Sequence, residues 1–382
     1  MTVSSRPVSS TISFARKAAR VILYIFGALF VCMILLAGYF FAISPGKPRP
    51  VVDEEGRPLA GSLSEKVYID VNGVRQGMFI QSRDVNNPVL LYLHGGMPDY
   101  FLSEIYPTGM EEVFTVVWWE QRGAGMSYSA ETPPETMTLE QMIADTLAVT
   151  HYLRERFGQE KIYLMGHSGG TFIGIQAAAR APELYHAYIG VAQMANQRQS
   201  EVEAYEYMLA QFKANGNSEM VKKLEAAPVT LEGGIPEAYL RVRDQAMHSL
   251  GVGTIREMDS VVTGIFFPSL MSRAYTTPEK LRFWQAKANA GVSSLWEDSI
   301  STDLSEKVPT LDLPVYFLEG VYDYTCTYAQ AKAYFDRLDA PVKGFYTFEN
   351  SAHSPMFEEP EKMLEILRKD VLTGGNRMAD EE

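Results

Sequence analysis

The sequence predicts an α/β fold, a mostly parallel sheet flanked by helices, carrying a helical insertion and preceded by a membrane-spanning helix. Three observations predict it. Short apolar runs alternate with amphipathic helical patterns over most of the chain, as expected of strands buried on both faces with helices packed against them. The alternation stops between residues 196 and 303, where helical patterns follow one another with no strand-like run. Ahead of both lies a stretch without a single charge, residues 21–43.

As a helix rising about 1.5 Å per residue, residues 21–43 span roughly 34 Å, enough to cross a hydrocarbon core of about 30 Å. Arg16, Lys17 and Arg20 stand immediately before the stretch. The positive-inside rule therefore places residues 1–20 in the cytoplasm and everything beyond the span on the other side of the membrane. A cleaved signal peptide has the same layout, but its apolar part runs about 7–15 residues and ends at a small-x-small site. Here Phe40 and Phe41 precede Ala42, so the segment reads as a retained signal anchor. Residues 44–64, rich in Pro, Gly and charge, read as a linker that lifts the following domain off the membrane.

Two alternating runs, 66–71 and 77–81, flank Asn72-Gly73, a hairpin turn signal. Strands are then expected at 88–93, 114–119, 161–165, 188–192, 315–318 and 344–348, and helices at 139–157, 171–180, 328–338 and 360–372. This assigns 65–195 and 304–373 to the sheet domain and 196–303 to a helical cap over it, with helical stretches at 201–214, 218–226, 236–250 and 278–290. Residues 374–382 are expected to be a frayed tail. In an open parallel sheet, chemistry gathers at the carboxyl ends of the strands.

Charge and composition exclude several function classes. The formal net charge is −13; the four bases before residue 44 (Arg6, Arg16, Lys17, Arg20) face no acid there, so the remainder carries −17. No basic cluster is present to bind phosphates, which argues against a nucleic-acid partner, and the acidic balance reads as solubility. Of the two cysteines, Cys32 lies inside the apolar run, and neither has a metal-type partner spacing. With no H-E-x-x-H run and no dinucleotide glycine fingerprint, neither a metal nor a nucleotide cofactor is expected.

Gly166-His167-Ser168-Gly169-Gly170 follows an apolar strand and precedes a helix of small residues, the strand–turn–helix setting of a G-x-S-x-G nucleophile elbow. A Cβ at either flanking glycine would collide with the neighbouring strand or helix. A serine hydroxyl needs a base near neutral pH. Of six histidines, His353 is singled out because it stands in a loop between the last strand and the last helix, the place of the base in the Ser…Asp…His chain order. Asp323, in the turn after strand 315–318, is the expected orienting acid, with Glu319 at the strand terminus as its nearby competitor. Two backbone donors are expected for the oxyanion, the N–H of Gly169 and that of Gly96 in the turn His94-Gly95-Gly96-Met97, with His94 bracing that loop.

These residues, together with Glu120-Gln121-Arg122-Gly123-Ala124-Gly125-Met126-Ser127 and His353-Ser354-Pro355, resemble the α/β-hydrolase superfamily, and within it most closely the proline iminopeptidase branch of serine peptidases. The resemblance covers residues 88–372 apart from the insertion. It implies an α/β-hydrolase fold whose cap shapes the substrate pocket and, in aminopeptidase members, supplies acids for the substrate's amino group; Glu201, Glu203 and Glu206 are the candidates. It departs from the family's His-Gly-Gly-Pro-Gly at Met97 and Pro98, and from the peptidases' frequent tryptophan after the nucleophile at Gly169. Dehalogenases and epoxide hydrolases of this fold attack with an aspartate where Ser168 stands. The expected reaction is hydrolysis of an amide or ester of a small-molecule or peptide substrate through an acyl-enzyme, as in an aminopeptidase. The alternatives are a carboxylesterase or lipase-like enzyme, and a non-catalytic surface binding protein of the same fold.

Overall fold

A computed structural model describes residues 8–289 and 294–381. Eight strands form one sheet in the order β1-β2-β4-β3-β5-β6-β7-β8. They are β1 (Leu63–Val71), β2 (Val74–Ser82), β3 (Val89–Leu93), β4 (Thr115–Glu120), β5 (Ile162–His167), β6 (Tyr185–Val191), β7 (Val315–Gly320) and β8 (Lys343–Phe348). Asn72 and Gly73 both take positive φ, 47° and 77°, which closes the β1–β2 hairpin with the twist its strands require. β2 pairs antiparallel with β4, and every later pairing is parallel.

The apolar runs read as continuous because both faces of the sheet are covered. Along β3, Leu91 and Leu93 enter one apolar cluster while Leu90 and Tyr92 enter the other; Leu164 and Met165 of β5 divide in the same way. The helix Leu139–Phe157 starts where Thr138 accepts the Gln141 N–H at 3.2 Å and stops at Gly158, whose φ is 63°.

Among the described residues no strand occurs between β6 and β7. The helices there include Gln197–Ala214, Ser218–Glu225, Glu237–Ser249, Phe267–Met271, Thr277–Asn289 and Ser294–Ser301. Asn196 and Asp303 meet as an antiparallel bridge, so the insertion leaves and rejoins the sheet at one neck. It has its own core, with Met208, Phe212, Leu224, Tyr239 and Met247 buried together. It is also clamped to the sheet: the Lys66 ammonium lies 2.8 Å from the Glu279 carboxylate, and the hydroxyls of Tyr68 and Tyr275 donate to Glu279 and Glu120.

Glu120 links this clamp to pH. Burial pushes its carboxyl up to about 8, against the downward pull of the bonds from Tyr275 and the Met126 N–H. An acid raised in the fold costs stability as pH rises between its unfolded and folded values, here from about 4.5 to about 8. In Glu120→Gln the amide oxygen still accepts from Met126 and the amide N–H turns to the Tyr275 oxygen. The variant is expected to melt above the wild type at pH 9, with the gap closing toward pH 5. Melting curves that keep a constant gap across this range would refute the assignment.

Two terminal expectations need correction. Residues 44–64 do not lift the domain away from the N-terminal helix. Ser44 is buried and accepts from the Lys280 ammonium at 2.7 Å, and the N–H groups of Gly46 and Lys47 bond the Arg273 carbonyl. The tail is held rather than frayed: Arg377 and Met378 donate to Asp370, and Asp380 bonds the backbone of Phe345 and Thr347 on β8. The helix Val8–Ala42 also begins well before residue 21, with residues Lys17–Ala42 long and apolar enough to cross a membrane. Residues 1–7 of the expected cytoplasmic segment, residue 290 of the expected helix 278–290, and residue 382 lie outside the described residues.

Candidate active site

Ser168 sits between the last residue of β5 and the first of the helix Gly169–Arg180, with φ 55° and ψ −125°. A non-glycine residue held there carries strain of about 1–3 kcal/mol, which the surrounding structure must over-determine. The flanking glycines show how. A Cβ on Gly166 would fall 2.7 Å from the Gly170 oxygen and Thr171 Cα, and one on Gly170 would fall 2.1 Å from the Leu93 oxygen. Strand and helix thus approach too closely for a side chain at either Gly166 or Gly170, and the serine is left at the carboxyl edge of the sheet.

The turn after β3 faces this serine. A Cβ on Gly95 would lie 3.0 Å from Ser168 Oγ, and the ideal Cβ of Gly169 stands 3.8 Å from the Gly96 nitrogen. Gly169, as the first helical residue, has an N–H with no intrahelical acceptor. The Gly96 N–H has no backbone acceptor among the described residues. His94 holds the turn by both ring nitrogens: Nδ1 donates to the Gly95 carbonyl at 2.8 Å and Nε2 accepts from the Gln121 N–H at 3.2 Å. Burial lowers its pKa, in keeping with a neutral brace.

Asp323 and His353 come together from loops that follow β7 and β8. Asp323 Oδ2 lies 2.8 Å from His353 Nδ1, while Oδ1 accepts from the N–H groups of Thr325 and Cys326 at 2.7 and 3.0 Å. With Nδ1–H bound to the carboxylate, Nε2 carries the free lone pair, the tautomer a general base needs. Burial lowers the His353 pKa below its ordinary value, opposed by the charge and hydrogen bond of Asp323. Gly320 lets the His353 loop pass close: a Cβ there would stand 2.1 Å from the Ala352 oxygen. Glu358 and Glu359 fix the loop through Ala352 N–H, Asn350 N–H and the Ser351 hydroxyl. Glu319, the competing acid, turns away and accepts the Gln193 N–H; burial pushes its carboxyl well above the usual range.

His167 joins the two halves. Its Nε2 lies 2.8 Å from the His353 carbonyl oxygen, its ring centroid 4.9 Å from that of His353, and its Nδ1 3.3 Å from Asp99, which also accepts from the Tyr92 hydroxyl. Among the described residues no hydrogen bond joins Ser168 Oγ to His353; such contacts are commonly long until substrate binds. Sequence reasoning missed Asp99 and treated His167 as a turn residue. The available signal was Asp99 itself, five residues after His94 on the same strand-end loop. Cys326 was also missed. Its thiol adjoins the Ser168 hydroxyl, but burial, reinforced by Asp323 and Glu319, pushes it well above the ordinary thiol range and away from thiolate chemistry.

Two of the three acids suggested for an amino group are already engaged. Glu201 is fully buried and accepts from Arg243 Nε and Nη2 at 2.8 and 2.7 Å, from the Tyr239 hydroxyl at 3.0 Å and from Gln197 at 3.0 Å. Glu203 bonds Thr327 and Gln330, and Glu206 is exposed. Among the described residues, no three His, Cys, Asp or Glu side chains are placed to hold a metal ion.

The largely parallel sheet, with Ser168 and the Asp323–His353 pair at its carboxyl edge, has the architecture of a known class of protein, and sequence comparison identifies that fold. The chain belongs to the α/β-hydrolase fold family, which matches residues 88–360, and it is a hydrolase. It is 30% identical over 334 residues to a probable aminopeptidase, YbaC of Bacillus subtilis (strain 168), covering 82% of this chain and 98% of that protein. It is 23% identical over 296 residues to a proline iminopeptidase of Clostridium botulinum (strain Hall), covering 74% and 89%. Among solved structures it resembles a proline iminopeptidase-related protein from Thermus thermophilus, with a TM-score of 0.56 at 20% identity over 81% of this chain and 98% of that one.

Proposed function

We propose that this chain is a membrane-anchored serine hydrolase that cleaves an amide bond at a peptide amino terminus through an acyl-enzyme. Ser168 attacks the carbonyl carbon, His353 Nε2 takes its proton, and Asp323 holds the imidazole and stabilises the imidazolium. The Gly96 and Gly169 N–H groups receive the oxyanion. On collapse His353 returns the proton to the leaving amine, and water then deacylates the enzyme with His353 again as base. The observation that carries the reading is the buried Asp323–His353 pair at 2.8 Å, beside a serine held in a strained elbow. The aminopeptidase and proline iminopeptidase names of its relatives support the choice of bond.

The Arg243–Glu201 ion pair favours a second reading, hydrolysis of carboxylic esters. Recognition of an ammonium requires an available carboxylate, and Glu201 already has a bidentate cation. Turnover of aminoacyl arylamides and of acyl esters of phenol by the full-length protein separates the two. Arylamide cleavage is the expected result; activity confined to the esters would sink the peptidase assignment and leave the nucleophile in place.

The helix Val8–Ala42 supports the anchor. We place its N-terminus in the cytoplasm and the hydrolase domain on the opposite side, on the strength of the basic residues Arg16, Lys17 and Arg20 before the apolar run.

A further inference from the structure

The N-terminal helix does not end in a free spacer. The Ile43 and Ser44 N–H groups continue its last turn through bonds to the carbonyls of Tyr39 and Phe41. Ser44, two residues past the helix, is already buried in the insertion. The Lys280 ammonium donates to Ser44 Oγ at 2.7 Å and to the Leu270 carbonyl at 2.6 Å, so one cation ties the helix exit to the end of the helix Phe267–Met271. Pro45 then bridges Thr276, and Gly46 lies so close that a Cβ would stand 2.3 Å from Thr276 Cγ2. Wherever the apolar helix leaves a bilayer, residues 270–280 are at the same level.

The side chains beside these contacts face solvent and are apolar. Met271 and Leu281, next in sequence to Leu270 and Lys280, are 47% and 62% exposed. Phe267, one turn before Met271 on the same helix face, is 50% exposed, and Val262 is 53% exposed. Ile265 and Ser269 point the other way and are buried. Single exposed apolar residues are ordinary; several along one short helical segment, whose end is tied to the exit of the apolar helix, are not. Basic residues rim them. Lys47, Arg49, Arg273 and Arg282 are exposed, and none takes part in a salt bridge among the described residues. Of the acids around residues 270–280, Glu104 turns to Ser272 and Glu279 to Lys66 and Tyr68, whereas Glu257 and Asp259, ahead of Val262, are exposed. An acidic protein thus presents a local cationic border around an apolar face, the combination that seats a surface on anionic headgroups.

We propose that the face formed by Val262, Phe267, Met271 and Leu281 docks on the lipid bilayer that holds the N-terminal helix, so that the insertion rests in the headgroup layer. The proposal rests on the anchor reading given above and extends it to the insertion. The hydrolase is then fixed against the membrane by two adjoining surfaces rather than swinging on a tether.

The test uses the full chain reconstituted in vesicles of phosphatidylcholine and phosphatidylglycerol. An environment-sensitive fluorophore is placed on the native Cys32, which is exposed on the helix, or, in a Cys32→Ser background, on Phe267→Cys, Met271→Cys, Leu281→Cys or, as a control, Glu140→Cys. Quenching is read with lipids carrying a nitroxide at shallow or deep acyl positions. Hydrolysis by each labelled variant checks that it is folded. The expected result is deep quenching at residue 32, shallow quenching at 267, 271 and 281, and none at 140. Quenching at 32 with 267, 271 and 281 as dark to the quencher as 140 overturns docking and leaves the anchor standing. No quenching at 32 overturns the anchor, and the docking proposal with it.

Discussion

Ser168→Ala is expected to abolish covalent labelling by a fluorophosphonate and to lower kcat by about 10⁶-fold. The hydroxyl is the atom that forms the acyl bond, and no neighbour can replace it. Cys326 adjoins it, but burial keeps that thiol protonated, and the turn at Asp323 directs its backbone N–H into the carboxylate. The Gly96 and Gly169 N–H groups remain in the variant, so a residual acceleration of about 10³–10⁴ over water should survive from oxyanion binding and substrate positioning. Gel fluorescence after probe treatment, on samples with matching melting curves, reads the first effect, and steady-state kinetics reads the second. Labelling that persists at full intensity in the variant would move the nucleophile elsewhere.

Asp323→Asn should lower kcat by about 10⁴-fold with the fold intact. The asparagine oxygen can keep the N–H bonds of Thr325 and Cys326 that Asp323 Oδ1 now accepts. Its amide nitrogen then faces His353 Nδ1 and offers a proton where the carboxylate received one. The imidazole must carry its own proton on Nε2, the atom that should take one from Ser168. The pH profile adds a second signature. Burial already places the His353 pKa below its ordinary 6.5, so the ascending limb of the wild-type kcat/KM has its midpoint below that value. Asp323 raises this pKa by charge and hydrogen bond, so its loss shifts the ascending limb further toward acid while the plateau drops. An unshifted limb with an undiminished plateau would mean that the pair plays no part in the reaction.

The candidate site was legible to the extent that its parts are local. Gly166 and Gly170 are required by contacts within one strand–turn–helix unit, so five consecutive residues carry the signal. Asn72-Gly73 closes its hairpin by the same short-range logic. Asp323 and His353 were chosen by position rather than contact, since each follows a strand whose apolar run is visible. Their 2.8 Å bond spans 30 residues and could only be seen folded. The contact of His167 with Asp99, 68 residues apart, had only the cue of Asp99's place on the strand-end loop after His94. Glu201 was a candidate amino-group acid through the family resemblance and its place in the cap, and Arg243, 42 residues on, had already claimed it.

By itself, then, the sequence determined the alternation of strands and helices, the presence of an apolar N-terminal helix and the strand–turn–helix around Ser168. Each depends on periodicity or on turn sterics acting over a few residues. Only the tertiary structure decided which charges are occupied and which ends are docked: Glu201 with Arg243, Asp380 on β8, and Ser44 against Lys280. A polar or charged group reads the same in sequence whether it faces water or a partner. Burial makes the choice, because a group removed from water must find a counterpart, and packing brings that counterpart from distant parts of the chain.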